Sequence, residues 1–182
     1  MNFIHAVIFG IVEGVSEFLP ISSTGHLILA AKLMGFSQSE FVKSFEITIQ
    51  LGAILAVLVL YWKKLLIDFE TLKRVLTAFI PTAILGFLLY KIIKKVLLAN
   101  VQVVLWSLFI GGIILIVFEL WIRGKDATVS KISEMSYKTA VWIGVFQSLA
   151  MIPGVSRSGA TIVGGRFLGI DRASIVEFSF LY

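Results

Sequence analysis

Three long apolar runs alternate with short polar segments through the middle of the chain. The runs cover 45–62, 75–90 and 101–122. Each is close to the ~17–25 residues that a helix needs to cross a hydrocarbon core about 30 Å thick. We therefore predict three transmembrane helices, the second kinked at Pro81, because proline removes a hydrogen bond from a helix interior. The segments between and after them, which carry most of the charge, are predicted as loops: 63–74, 91–100 and 123–136.

Two further apolar regions, 2–36 and 137–170, are each broken near the middle by Pro, Gly and Ser. Each pattern predicts a helix, a break and a second helix. Neither half is comfortably long enough to cross a bilayer by itself. We expect two re-entrant hairpins whose irregular tips are buried in protein or line a cavity, since lipid cannot satisfy their backbone groups.

These two regions are repeats of one another. A shift of 134 positions superimposes Glu13 on Gln147, and it also aligns Ala6 with Ala140, Val7 with Val141, Gly10 with Gly144, Ser22 with Ser156, Thr24 with Ser158, Gly25 with Gly159, Lys32 with Arg166 and Gly35 with Gly169. Three single spans lie between the repeats, so the repeats enter the membrane from opposite sides. Such an inverted-topology repeat places a site near the midplane, at the repeat interface.

The domain organisation follows from the repeats. We predict one polytopic all-α membrane domain over 1–182, with a first repeat at about 1–122 and a second from about 137. A further apolar run begins near Ala173 and reaches Tyr182. We expect the second repeat to be cut off there, and a complete one to continue for two or three more helices.

Composition agrees with a membrane protein. The chain is 58% hydrophobic and 15% charged, and its mean hydropathy is +0.99, whereas soluble domains are about half apolar and a quarter charged. The chain has no cysteine, which excludes disulfides and thiol chemistry. The N-terminal region lacks a basic start and is interrupted by Glu13 and Glu17, so it does not fit a cleavable signal peptide.

The net charge of +5 is explained by topology. Lys and Arg lie mostly in the short segments between apolar runs, which is typical of membrane proteins and does not favour nucleic-acid binding. Eight of them lie in 63–74 and 123–138, and three lie in 91–100. The first two segments are therefore predicted to face the cytoplasm.

Glu13 and Glu17 are four residues apart and share one helix face. Two carboxylates this close couple electrostatically. They are suited to a hard divalent cation, Mg²⁺ or Ca²⁺, or to work as general base and partner. The alternative is a polar pair satisfied by backbone or Lys. Glu46 and Gln50 share a face of the first span and are candidates for support of this pair.

The segment 20–26 lies where the second helix of the first hairpin begins. Ser22, Ser23 or Thr24 can cap that helix, and the free amides of its first turn favour an anion. His26 lies one turn further on, where it can reach a hydroxyl, and a hydroxyl beside an imidazole is the minimum for nucleophilic catalysis. The alternative is simple capping with a buried, neutral His26.

The segment 153–161 has the same arrangement in the second hairpin. Ser156 and Ser158 offer hydroxyl donors, and Arg157 supplies a planar fork suited to phosphate oxygens. Thr161 is equally explained by a hydroxyl that bonds its own helix backbone.

Together, the two helix starts predict a phosphoryl-transfer site, with donors for phosphate, a nucleophile and an acid/base. A structural alternative pairs Arg157 with Glu13 or Glu17. The rival function is a polyprenyl-phosphate flippase or transporter, because inverted repeats with broken helices are typical of transporters. Acid-phosphatase-like lipid phosphatases fit poorly, because their pattern needs a His after the Ser-Arg pair and none follows Arg157.

The motifs 13–17, 20–26 and 153–161 resemble the signature motifs of bacterial undecaprenyl-diphosphate phosphatases, also called bacitracin-resistance proteins. The resemblance covers the whole chain, including the spacing between motifs. It implies hydrolysis of undecaprenyl diphosphate to the monophosphate, which recycles the lipid carrier of peptidoglycan synthesis. It also implies a multi-pass protein of the bacterial inner membrane, a site open to the outer face and a divalent cation.

The resemblance also implies roles for individual residues. Ser23, or a water activated by the cation, attacks phosphorus, and His26 transfers the proton, while Glu13 and Glu17 hold the cation or tune His26. The residues implied to bind the diphosphate are Ser22, Ser156, Arg157, Ser158 and Thr161. The expected partners are the polyprenyl diphosphate and the lipid bilayer, and no nucleic acid.

Overall fold

A computed structural model describes residues 1–37, 39–93 and 101–182, with the backbone alone described at 63–67. These parts of the chain contain eight α-helices and no β-strand. The helices are α1 (Phe3–Ser16), α2 (Ser23–Leu33), α3 (Glu40–Ile67), α4 (Phe69–Ile92), α5 (Val101–Ile122), α6 (Tyr137–Ser148), α7 (Arg157–Phe167) and α8 (Arg172–Leu181). Short 3₁₀ turns cover Ile132–Glu134 and Leu149–Met151.

The three predicted membrane spans are confirmed. Helices long and apolar enough to cross a bilayer occur at Glu40–Trp62, Phe69–Ile92 and Val101–Ile122. At about 1.5 Å per residue, the 22 residues of α5 extend for roughly 33 Å. Large apolar side chains such as Leu60 and Phe87 point outward from these helices. A bilayer is the environment that covers such surfaces, so the fold is that of an all-α integral membrane protein.

The sequence predicts a loop over 63–74, and this prediction is wrong. Helix α3 continues to Ile67, and a single residue, Asp68, separates it from α4 by accepting a hydrogen bond from the Thr71 N–H at 3.0 Å. The physical reason is that Lys and Leu are good helix formers. Hydropathy therefore marks where an apolar run ends, and the helix itself extends further. Of the predicted segment 91–100, residues 94–100 lie outside the described residues.

The second broken region is held against α4 by a close helix crossing. A Cβ placed on Gly144 of α6 would lie 2.0 Å from the carbonyl oxygen of Ala78, so only glycine permits this approach. Thr82 Oγ1 donates a hydrogen bond to the Gly144 carbonyl at 3.1 Å. Around the crossing, Ile143 and Phe178 are almost completely buried. The crossing fixes the position of α6, and hence of the break that follows it.

The first broken region has its own apolar core. Phe9 of α1 packs with Leu27 and Ala31 of α2, and Val42 at the start of α3 joins them. The first three residues are fully buried. At about 25 cal/mol per Å² of apolar area, a buried side chain of this size contributes about 1.5–3 kcal/mol. This core holds α1 and α2 side by side with the break between them at one end.

A buried arginine ties the start of α4 to the segment before α6. Arg74 donates from Nε to the Met135 carbonyl at 2.6 Å and from Nη1 to Glu70 Oε2 at 2.7 Å, and it lies over the ring of Tyr137. A buried charge needs such partners, because desolvation is costly. The contacts fix the point from which α6 begins.

Both broken regions therefore have the predicted layout of helix, break and helix. In the first, the break separates α1 from α2, and in the second it separates α6 from α7. The opposite orientation of the two repeats in a membrane stays a prediction, as do the repeat boundaries.

Candidate active site

The two breaks face each other. Arg157 Nη2 donates to Glu17 Oε1 at 2.6 Å, and Ser158 Oγ donates to the carbonyl of Leu19 at 3.2 Å. A Cβ on Gly159 would lie 3.3 Å from the carbonyl oxygen of Pro20, so the two segments pack closely. The structure thus brings together the motifs that the sequence singled out, although they lie about 140 residues apart.

Each break ends at a helix start capped by a serine. Ser22 Oγ accepts a hydrogen bond from the Gly25 N–H at 3.4 Å, and Ser156 Oγ accepts one from the Gly159 N–H at 3.0 Å. Serine is favoured at this position because it satisfies an amide that the helix leaves unpaired. The other amides of each first turn carry partial positive charge toward the break. Two such helix starts side by side favour a negatively charged ligand.

Glu17 connects the two helix starts through both of its carboxylate oxygens. Ser23 Oγ donates to Oε2 at 2.5 Å, and Arg157 occupies Oε1. The structural alternative, in which Glu17 is the partner of Arg157, is therefore the observed arrangement. The Arg157 side chain is nevertheless 41% exposed. Because a guanidinium has five N–H donors, Arg157 keeps donors available for a ligand.

A polar cavity of about 280 Å³ opens beside this cluster. Six of the predicted residues that bind substrate or perform chemistry line it: Glu17, Ser22, Ser23, Ser156, Arg157 and Ser158. The hydroxyls and the guanidinium in this lining offer hydrogen-bond donors suited to phosphate oxygens.

The structure places His26 differently from the expectation. Its Nδ1 lies 2.8 Å from the carbonyl oxygen of Ser22, and the hydrogen-bond acceptor for the Ser23 hydroxyl is Glu17. Because a carbonyl only accepts, Nδ1 carries the proton in this contact. His26 lines a second, mainly apolar cavity of about 430 Å³ beside α2 and α5. The structure thus shows a different contact from the expected pairing of His26 with a hydroxyl, since Nδ1 is bonded to the i−4 carbonyl, and the role of His26 in proton transfer stays a prediction.

Glu13 is buried and does not line the polar cavity. It is 2% exposed, and neither of its oxygens has a hydrogen-bond partner within the described part of the chain. The carboxylates of Glu17 and Glu46 lie within electrostatic range. A buried carboxylate in such surroundings is costly unless it binds a proton or a cation. The alternative of a pair satisfied by backbone or Lys does not describe Glu13.

The two carboxylate oxygens of Glu13 are suitable ligands for a hard divalent cation, but one carboxylate supplies only part of a coordination shell. Residues 1–37, 39–93 and 101–182 contain no group of three or more His, Cys, Asp or Glu side chains that could hold a metal ion. Both oxygens of Glu17 are already engaged. A cation at Glu13 would therefore complete its shell with water and phosphate oxygens, which is how Mg²⁺ commonly binds.

Thr161 lies behind Arg157 and away from the cavity. It is completely buried, and its hydroxyl lies 3.0 Å from the Arg157 carbonyl and 3.1 Å from Gln147 Oε1. This contact with its own helix is the alternative that the sequence left open. Thr161 supports the start of α7, and it does not line the polar cavity.

The cavity also contains residues that sequence reasoning missed or underrated. Ser16 lines it, although its hydroxyl is bonded to the Val12 carbonyl at 2.5 Å, and Thr24 lines it with an exposed side chain. Gln50, expected only as support, also lines the cavity. The one available signal was the position of Ser16 and Thr24 at the edges of a break, where side chains face the tip.

The fold and the site together define a multi-pass helical membrane protein with a polar pocket between two broken helix pairs. The model of the family described as "Bacitracin resistance protein BacA" matches residues 6–182. This chain belongs to that family, and the resemblance drawn from its motifs is confirmed.

Individual relatives agree with this assignment. A protein of Sulfurihydrogenibium sp. (strain YO3AOP1) is 58% identical over 181 residues, which cover 100% of this chain and 71% of the relative. One of Aquifex aeolicus is 57% identical over 177 residues, covering 97% of this chain and 69% of the relative. One of Bdellovibrio bacteriovorus is 51% identical over 180 residues, covering 99% and 68%. All three are named undecaprenyl-diphosphatase, which does not favour the flippase alternative.

Proposed function

We propose that this protein is an undecaprenyl-diphosphatase and that the polar cavity between its two breaks is the active site. The reaction converts undecaprenyl diphosphate and water into undecaprenyl phosphate and inorganic phosphate. It regenerates the lipid carrier for peptidoglycan synthesis and so supports cell-wall biogenesis and cell shape, and it explains the link of the family to bacitracin resistance. Membership of the family and the names of its relatives support the reaction.

One observation carries the assignment of the site. The Ser23 hydroxyl, the Glu17 carboxylate and the Arg157 guanidinium form one connected chain, with distances of 2.5 and 2.6 Å. These three hydrogen-bonded groups provide a nucleophile, a proton acceptor and a phosphate ligand in the lining of one cavity. The N-terminal ends of α2 and α7 add partial positive charge to the same site.

In the proposed first step, Ser23 Oγ attacks the terminal phosphorus of the bound diphosphate. The Oγ–P bond forms and the bond from that phosphorus to the bridging oxygen breaks, so the electron pair leaves with undecaprenyl phosphate. The Oγ proton passes to Glu17 Oε2, which already accepts it in a hydrogen bond. Arg157 and the amides of the first turns of α2 and α7 stabilise the charge that develops on the phosphoryl oxygens.

In the proposed second step, water attacks the phosphorus of the phosphoserine. The P–Oγ bond breaks, the proton held by Glu17 returns to Ser23 Oγ, and the two water protons leave with inorganic phosphate. The alternative is direct attack of water on the diphosphate, with Ser23 acting only as a ligand. Geometry favours serine as nucleophile, because its hydroxyl already has a carboxylate acceptor.

Glu13 would hold the divalent cation, Mg²⁺ or Ca²⁺, that this reaction is expected to need. When bound, such a cation neutralises phosphate charge and polarises a phosphoryl oxygen. Glu17 would remain with Ser23 and Arg157, and Glu46 would add negative charge nearby.

The apolar tail of the substrate lies in the bilayer in this proposal, and its headgroup enters the polar cavity. We place the protein in the bacterial inner membrane with the site open to the outer face. The many Lys and Arg of 63–74 and 123–138 would then face the cytoplasm.

The test is phosphate release from undecaprenyl diphosphate in detergent, with wild type, Arg157→Ala and Arg172→Ala. Arg172 is exposed and pairs with Glu119 on the surface, so it is the matched control. We expect release by the wild type and the control, and a loss of at least about 100-fold in Arg157→Ala, because a charge-assisted phosphate contact is lost. Equal turnover in all three proteins would show that Arg157 does not bind the phosphate in the active site.

A further inference from the structure

Ser22 has a strained backbone at the edge of the candidate active site. Its φ is +66° and its ψ is 94°, and among the described residues it is the only non-glycine residue with a positive φ. Serine rarely adopts this conformation because its Cβ meets the neighbouring backbone. The equivalent cap in the other hairpin, Ser156, has an ordinary φ of −72°. Capping alone therefore does not demand the strain, and some other contact must maintain it.

His26 provides that contact with two hydrogen bonds to one atom. The Ser22 carbonyl oxygen accepts the His26 backbone N–H at 3.2 Å and the His26 Nδ1–H at 2.8 Å. That carbonyl belongs to the peptide unit that leads into Ser23. Because Ser23 begins helix α2 and has a helical φ, holding this plane fixes the direction in which the Cα–Cβ bond of Ser23 leaves the chain. The Ser23 hydroxyl then meets Glu17 at 2.5 Å.

The ring of His26 does not border the polar cavity. It lines the mainly apolar cavity beside α5 together with Leu29 and Leu108, while the polar cavity is lined without it. The proton of the Ser23 hydroxyl already has an acceptor in Glu17. A ring placed this way is suited to hold the backbone and poorly suited to exchange a proton with the reacting hydroxyl.

We propose that His26 is a positioning residue whose Nδ1–H holds the strained Ser22 carbonyl and thereby aims Ser23 Oγ at Glu17. The inference rests on the proposed function, because it concerns the geometry of the same nucleophile. It assigns His26 a task at Nδ1, whereas proton transfer would need Nε2.

Two substitutions of His26 distinguish a role of Nδ1 from a role of Nε2. The amide nitrogen of Asn occupies nearly the position of Nδ1, and that of Gln nearly the position of Nε2. We would measure kcat and KM for undecaprenyl diphosphate with wild type, His26→Ala, His26→Asn and His26→Gln. Thermal unfolding of each variant reports whether it is folded.

The proposal predicts that His26→Asn restores most of the kcat that His26→Ala loses, to within about tenfold of wild type, and that His26→Gln does not. A proton-transfer role predicts instead that kcat falls by a similar factor in all three variants, roughly 100- to 10,000-fold. That result, or rescue by Gln alone, would overturn the proposal. An inactive wild type would count against the proposed function, and the measurement described next would then decide the role of His26 by itself.

A second measurement does not depend on activity. The chain has two histidines, His5 and His26, so the His5→Asn variant carries a single imidazole for ¹⁵N NMR. The proposal predicts a ring that carries a proton on Nδ1, with a signal that shifts when Ser22 is replaced by Gly. A ring without a proton on Nδ1 would overturn the proposal even if every variant were inactive.

Discussion

The most informative perturbation is Glu17→Gln, because Glu17 is the residue that joins the nucleophile to the phosphate ligand. Glutamine has nearly the same shape, and its carbonyl oxygen can still accept the Ser23 hydrogen bond. It cannot take the proton, and it cannot pair with the guanidinium of Arg157. The substitution therefore removes two electrostatic functions and preserves the packing.

The loss of the proton acceptor and the loss of the ion pair each have an expected magnitude. Loss of a general base lowers kcat by roughly 10²–10⁴-fold, which is about 2.7–5.4 kcal/mol in the activation barrier. The Arg157–Glu17 pair is partly exposed, at 41% and 21% of the two side chains. Its loss should cost folding about 1–3 kcal/mol, between the values for exposed and buried pairs.

Substrate affinity should stay the same or increase in Glu17→Gln, although kcat falls. Without Glu17 as a competing anion, Arg157 directs all of its N–H donors at the ligand. We therefore expect KM for undecaprenyl diphosphate to stay constant or fall, while kcat falls by the factor given above. The assay is phosphate release at varied substrate concentration, with Glu119→Gln as the control, since Glu119 makes the corresponding surface pair with Arg172.

One result would refute this reasoning. If Glu17→Gln keeps the wild-type kcat while thermal unfolding shows the expected destabilisation, Glu17 is only a structural partner of Arg157. The proton of Ser23 would then need another acceptor, and direct attack by water would become the better mechanism.

Three further predictions follow from named contacts. Ser23→Ala should lower kcat by roughly 1,000-fold or more if serine is the nucleophile, and unchanged turnover would favour attack by water. Glu13→Gln should raise the Mg²⁺ concentration for half-maximal phosphate release after EDTA treatment by at least about tenfold, because it removes a charged oxygen ligand; an unchanged titration would place the cation elsewhere. Gly144→Ala should lower the unfolding temperature, because its Cβ would lie 2.0 Å from the Ala78 carbonyl and overpacking costs about 1–3 kcal/mol. Gly10→Ala, at the equivalent repeat position with open space around it, is the control for that scan.

The sequence predicted the fold wherever the bilayer dictates the pattern. The three spans were located because crossing a hydrocarbon core needs a fixed length of apolar helix. The breaks were located because Pro, Gly and Ser interrupt that pattern. The loop predicted over 63–74 failed because hydropathy reports the local solvent, and a helix made of good helix formers can leave the membrane without ending.

The candidate site was predictable as a set of residues and much less as a set of contacts. The capping roles of Ser22 and Ser156 follow from residue type and position. The pairing of Ser23 with Glu17 depends on how the chain turns across six residues of irregular backbone. Spacing alone cannot give that turn, because it contains a serine with positive φ.

The misassigned contact of His26 has the same origin. Helical spacing brings residue 26 near residue 22, and it does not distinguish the hydroxyl of that residue from its carbonyl. The strained backbone of Ser22 presents the carbonyl to the ring. Thr161 likewise lies on the predicted helix but faces Gln147, because helix α7 packs that face against α6.

The most direct test of the central claim is to let the protein hydrolyse undecaprenyl diphosphate in H₂¹⁸O and to locate the label by mass spectrometry. Attack at the terminal phosphorus, by Ser23 and then water or by water alone, predicts one ¹⁸O in inorganic phosphate and none in undecaprenyl phosphate. The loss of this labelled phosphate in Glu17→Gln would tie the chemistry to the described cavity. Label in undecaprenyl phosphate, or no hydrolysis by folded wild-type protein, would contradict the account.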